Sequence, residues 1–225
     1  MLLVIRNLVN LLGAAGPILF IALTASAHII VRGYNWISQT ISELALSSDG
    51  WLETAALSIL GISVGALAVT LYFGLPRTKV TRVAFILLIV IGLALLLTGV
   101  FPTNNLNDGV NAPALIHSWA VRLIAVLFPV VCFLLAYVFK SDSRLKVIYP
   151  YTVVAGAIGL ALDFMSLAFP LESLHYYVGI YERILAINGL VWFEVVAIKV
   201  LLVSKPDQKI ALPVLSAQDG ASDSK

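Results

Sequence analysis

Six stretches of this chain are apolar almost without interruption, and each is long enough to cross a bilayer as a helix. They run from Leu8 to Val31, Leu52 to Leu75, Val83 to Phe101, Ala114 to Phe139, Val147 to Phe169 and Tyr177 to Val203. A hydrocarbon core about 30 Å thick is spanned by about 20 helical residues. Lipid satisfies no backbone polar group, so only helices and closed barrels cross it. Barrel strands alternate apolar and polar residues, and these runs do not. The predicted fold is therefore all-α: a polytopic membrane protein built as a bundle of six transmembrane helices, with a short interfacial helix after the first span.

Charge supports the same conclusion. Only 12% of the 225 residues are charged, against about a quarter in a soluble domain. The net charge of +2 is too small to point to nucleic acid. The lone cysteine, Cys132, excludes an internal disulfide. Residues 1–204 read as one membrane domain, and residues 205–225, polar and rich in Ser, Asp and Lys, read as a disordered tail. Arg6, the first apolar run and Ala25-Ser26-Ala27 resemble a cleavable signal. The run is long for one and contains Pro17, so it is read as a retained span, with cleavage as the alternative.

Basic residues set the expected orientation, because Lys and Arg collect on the cytoplasmic side. With six spans, Arg6, the group Arg77, Lys79 and Arg82, the group Lys140, Arg144 and Lys146, and the tail residues Lys205 and Lys209 share one side. Arg32 is the sole basic residue in the opposite connections. Both termini are expected in the cytoplasm, with the chain in the plasma (inner) membrane and Trp36 and Trp51 at the outer interface.

Within the spans, Pro17, Pro129 and Gly189 predict kinks or close packing, and Gly61-x-x-x-Gly65 and Ala155-x-x-x-Gly159 suit close helix contact. Most of the unusual polar residues fall in the outer half. In the first connection, Asn35 is placed to cap a short helix on which Ser38 and Ser42 share a face. Thr40 and Glu43 fit a capping box. By the helical rise, Arg122 lies roughly 12 Å below the start of its span, Asp163 roughly 9 Å below the end of its own, and Glu182 and Arg183 roughly 8–10 Å deep. Lone charges at such depth are expensive. The expectation is that these four face one another as a polar core, Asp163, Glu182 and Glu43 holding Arg122 and Arg183. Glu194 and Lys199 are expected to snorkel to the cytoplasmic side.

Three motifs sit in a fixed order relative to the spans: Y-N-x-I-S-x-x-I-S-E-L (Tyr34 to Leu44), F-P-T (Phe101 to Thr103) with His117 downstream, and G-x-Y-E-R (Gly179 to Arg183). Together they resemble the bacterial and archaeal membrane proteins grouped as domain of unknown function 998. The resemblance runs to about Val203 and implies a compact bundle of about six helices with no settled activity. That family places an acidic residue soon after F-P-T. This chain has Asn104 and Asn105 there, which argues against a catalytic carboxylate in that loop.

These readings converge on an integral membrane protein with a polar pocket in the outer half. Its expected lining is Tyr34, Asn35, Ser38, Glu43, His117, Arg122, Asp163, Glu182 and Arg183, and its expected occupant is a lipid headgroup, a small ligand or a membrane-protein partner. The rival bland reading is an ion-pair cluster that only fixes packing. A first functional alternative is a lipid-modifying hydrolase using His117 with Glu43 or Asp163. A second is a haem or metal protein using His28, His117 and His175, whose spacing matches no metal motif. No cofactor is expected. A transporter is disfavoured, because no internal repeat is present and the polar residues stop in the outer half.

Overall fold

The structure, a computed structural model, describes residues 2–104, 109, 111–168 and 176–203. The expected tail, Lys205 and Lys209, Asn105, His175 and residues 170–175 of the last connection lie outside the described residues.

All regular secondary structure among the described residues is helical, and the six long helices are each apolar enough to cross a membrane. They are α1 (Leu2–Ile30), α2 (Trp51–Gly74), α3 (Lys79–Val100), α4 (Ala112–Ser141), α5 (Tyr149–Ala168) and α6 (Val178–Val203). The boundaries follow local chemistry. Thr78 caps α3 by accepting from the Thr81 amide (3.1 Å), and Asn111 caps α4 by accepting from the Ala114 amide (2.9 Å). Pro113 fits the first turn of α4, where its missing N–H is not needed. Pro17 and Pro129 sit inside α1 and α4, whose helical course continues past them.

Each helix packs on its sequence neighbour, and α6 closes the ring against α1 and α5 while touching α2. Small residues set the closest approach. A Cβ on Gly61 would lie 2.6 Å from the Gly92 carbonyl, and one on Gly92 would lie 2.8 Å from the Gly61 carbonyl. Both side chains must be absent for the backbones of α2 and α3 to meet. At the centre, Trp192 is fully buried and donates Nε1–H to Thr152 Oγ1 (3.3 Å). Large apolar side chains such as Phe73, Tyr137 and Phe164 point outward, as lipid contact requires.

The helices alternate in direction, which gives the bundle two ends. One gathers the linker from α1 to α2 and the link from α3 to α4, and is called here the capped end. The opposite end carries Arg77, Lys79, Lys140 and Lys146. There Arg144 pairs with Asp142 (2.7 Å) and donates to the Gly74 carbonyl (3.0 Å). Glu194, expected to snorkel, instead keeps Oε2 buried and without a hydrogen-bond partner.

Candidate functional site

The linker between α1 and α2 folds back over the capped end. Gly33 takes a positive φ of 78° and turns the chain. Asn35 makes a local turn, its Oδ1 accepting from the Ile37 amide (3.0 Å) and its amide donating to Gln39 Oε1 (2.7 Å). The regular turn starts later than expected. It is a 3-10 helix over Ile41–Leu46, and the capping box of Thr40 and Glu43 forms at its start. Ser38 precedes this helix, so it shares no helical face with Ser42.

The linker is clamped to the start of α6. A Cβ on Gly179 would fall 2.3 Å from the Gln39 carbonyl and 2.6 Å from the Trp36 carbonyl. Only glycine admits that contact, and the Ile180 amide then donates to the Ile37 carbonyl (3.2 Å). Glu182 accepts from the Ile41 amide and from Ser42 Oγ (3.1 Å). Arg183 donates to the Gln39 carbonyl (3.0 Å), the Gly179 carbonyl (2.8 Å), Tyr34 Oη (2.6 Å) and His28 Nε2 (2.7 Å). Its guanidinium also lies 5.6 Å from the centre of the Tyr34 ring. Tyr34 in turn aims its hydroxyl at the Thr40 carbonyl (2.7 Å), with the Gln39 carbonyl at 3.1 Å. Burial pushes the Tyr34 phenol from 10.0 up to about 12, against the opposing pull of Arg183.

These bonds fix the tautomer of His28. Its Nδ1 faces the Thr24 carbonyl (2.7 Å) and must carry the proton, so Nε2 is the acceptor that Arg183 uses. Thr24 then extends the network to α2 by donating Oγ1–H to Glu53 Oε2 (2.9 Å). Glu53 is fully buried, and its Oε1 has no hydrogen-bond partner. Sequence reasoning missed Glu53 and Thr24. A carboxylate three residues into a span should have been weighed with the other intramembrane charges.

Beneath the clamp lies a cavity of about 130 Å³. Every helix contributes to its wall: Phe20 from α1, Leu57 and Leu60 from α2, Leu95 from α3, Ile124 and Phe128 from α4, Gly159 from α5, and Leu190 and Phe193 from α6. The polar wall consists of Ser42, Glu53, Thr98, Asp163, Glu182 and Asn188, with no Lys, Arg or His among its described lining residues. The Asp163 carboxylate makes no hydrogen bond or ion pair with any described residue.

The expected four-charge core is therefore corrected. Glu182 and Asp163 do share a cavity, but Glu182 and Arg183 bind backbone and neutral side chains in place of each other. Among the described residues the sole ion pair is Asp142 with Arg144, at the opposite end. Arg122 is exposed, its guanidinium 6.0 Å from the Trp119 ring centre. The inward stripe of α4 runs through Ala114, His117, Ala120 and Phe128, and position 122 falls on the opposite side of the helix. Equal depth does not bring charges together when the helix turns one of them outward.

His117 is buried, and its Nδ1 donates to the carbonyls of Thr98 (3.1 Å) and Phe101 (2.9 Å). Pro102 explains the arrangement. It occupies the position whose amide would have closed a bond to the Thr98 carbonyl, and it has no N–H to give. His117 supplies the missing donor, pinning α4 to the end of α3. It touches neither Glu43, which serves the capping box, nor Asp163. His28 is committed to Arg183, and no three His, Cys, Asp or Glu side chains converge on one point among the described residues.

A family model described as "Protein of unknown function (DUF998)" matches residues 14–199. No curated protein and no solved structure matches the chain.

Proposed function

This chain belongs to the DUF998 family of proteins of unknown function, and from that premise we propose that it is a multi-pass membrane protein that binds a small amphiphile inside its bundle. One observation carries the reading: a cavity walled by all six helices is apolar over most of its surface and carries its carboxylates toward the capped end. That division matches a molecule with a hydrocarbon body and a polar head. The clamp covers the polar end, and it is built from two of the three sequence motifs. Catalysis has no comparable support, because the Nδ1 of His117 is occupied by two carbonyls and the residue is absent from the cavity wall.

Orientation belongs to the same proposal. The basic residues of the two short connections lie at the opposite end, which makes that end cytoplasmic and sets the capped end toward the outside of the plasma membrane.

Filling the cavity tests the binding reading. A Cβ on Gly189 would meet nothing closer than Phe193, at 4.0 Å, and Gly189 lines the cavity. Gly189→Leu adds a side chain there and gains about 1 kcal/mol of helix propensity. In lipid nanodiscs, 1-octanol should raise the melting temperature of the wild type and leave Gly189→Leu unchanged, while the variant alone melts no lower than wild type. Equal stabilisation of both proteins by octanol would refute the assignment of the cavity as the binding site.

A further inference from the structure

The cavity wall also states what kind of head group it can accept. It carries three carboxylates, Glu53, Asp163 and Glu182, on three helices. A group of acids is not by itself a site. Here a second fact stands beside it: Glu53 is fully buried, lines the cavity, and has one carboxylate oxygen without any donor. Arg183, the residue after Glu182, is turned into the clamp and is not among the described residues of the wall.

A count of donors against acceptors decides the chemistry. An ionised carboxylate offers about four lone-pair sites. Glu53 receives one donor, from Thr24. Glu182 is served by the Ile41 amide and by Ser42, and Asp163 receives no donor from any described side chain. The wall is therefore rich in acceptors and poor in donors. An anionic head would add like charge in a low-dielectric space, which is strongly unfavourable. A hydroxyl brings one donor and no charge. An ammonium brings three donors and the compensating charge, and its hydrogen bonds to carboxylates are of the strong, charge-assisted kind. A bound metal ion fits less well, since no three acidic or histidine side chains converge on one point among the described residues.

We propose that the ligand of this cavity is a primary-amine amphiphile, its ammonium held by the unpartnered carboxylate oxygen of Glu53 at the capped end and its alkyl body lying against Leu57, Leu60 and Phe128. This rests on the reading of the cavity as an amphiphile site and adds the identity of the head. The volume of about 130 Å³ suits a ligand of roughly ten non-hydrogen atoms, by the space one water occupies on the same measure. Octylamine is a probe of that size.

The test is calorimetric titration of the full chain in lipid nanodiscs with octylamine, 1-octanol and octanoate, subtracting protein-free nanodiscs. Octylamine should bind roughly tenfold or more tighter than octanol, as expected for one charge-assisted bond, and octanoate should show no binding over the same range. Glu53→Gln should weaken octylamine roughly fivefold or more while leaving octanol within about twofold, the contrast being set by loss of the charged acceptor alone. The contrast of octylamine with octanol and octanoate on the wild-type chain keeps the test decisive if Glu53→Gln fails to fold. Octanol binding as tightly as the amine, octanoate binding as tightly as the amine, or Glu53→Gln weakening all probes alike would overturn the amine assignment and leave the cavity reading standing. Silence of all three probes on wild-type protein would overturn both.

Discussion

At the scale of single residues, Arg183 is the most consequential side chain in the bundle. Its charge is met by no carboxylate within ion-pair distance among the described residues, but by two carbonyls, a phenol and a histidine nitrogen. Arg183→Met removes the donors and strands the Gln39 carbonyl and His28 Nε2. The expected loss is about 2–4 kcal/mol of unfolding free energy, several times a typical neutral hydrogen bond, read by denaturant titration in mild detergent. Arg183→Lys should recover only part of it, since one ammonium cannot reproduce the planar fork. Tyr34 offers a pH test of the same network. Its phenol is held near 12 in the folded chain against 10.0 ordinarily. The folded state thus keeps a proton that the unfolded chain releases, so Tyr34 stabilises fully below pH 10 and loses that contribution as pH rises toward 12. The difference between wild-type and Tyr34→Phe absorbance titrations at 295 nm should have its midpoint near 12; a midpoint near 10 would place the phenol in water. Glu182 and Arg183 were legible in the sequence as functional-grade charges because hydrocarbon tolerates few of them. Their partners were not, because carbonyls leave no trace in side-chain identity.

At the scale of elements, hydropathy gave the six helices and, by inference, their alternating order. Helix azimuth is where the depth argument failed. Arg122 lies at the expected depth but on the lipid side of α4, and the stripe of small and apolar residues through Ala114, His117 and Ala120 held the information needed to see it. The F-P-T and His117 pair was visible as a motif, and its role follows from one property of proline, the missing amide beneath the Thr98 carbonyl. The junction between the linker and α6 rests on Gly179. A methyl there collides with backbone, which cannot yield as a flexible side chain would. Gly179→Ala should lower stability by about 1–3 kcal/mol, the range for overpacking, with the loss localised by faster amide exchange at Ile37 and Ile180. Unchanged exchange at those two amides would mean that the contact is not formed.

At the scale of the whole molecule, the bundle combines a lipid-facing apolar surface with a polar network confined to one end. Charge asymmetry predicts how it inserts. Ser48 lies in the linker and Ser143 in the connection between α4 and α5, both exposed, and the native Cys132 is buried. In intact cells a membrane-impermeant maleimide should label Ser48→Cys and spare Ser143→Cys until lysis; the reverse pattern would invert the orientation. The central claim is narrower: a fully buried carboxylate at the capped end of the bundle lines a cavity and takes a cationic head. Solid-state rotational-echo distance measurement between 15N-labelled octylamine and 13C-labelled glutamate in nanodiscs addresses it directly, with Glu53→Gln assigning the signal. The account predicts a carboxyl carbon within about 4 Å of the amine nitrogen, as a charge-assisted bond sets, and loss of that dephasing in Glu53→Gln. Dephasing that persists in the variant, or none in the wild type at saturating amine, would contradict it.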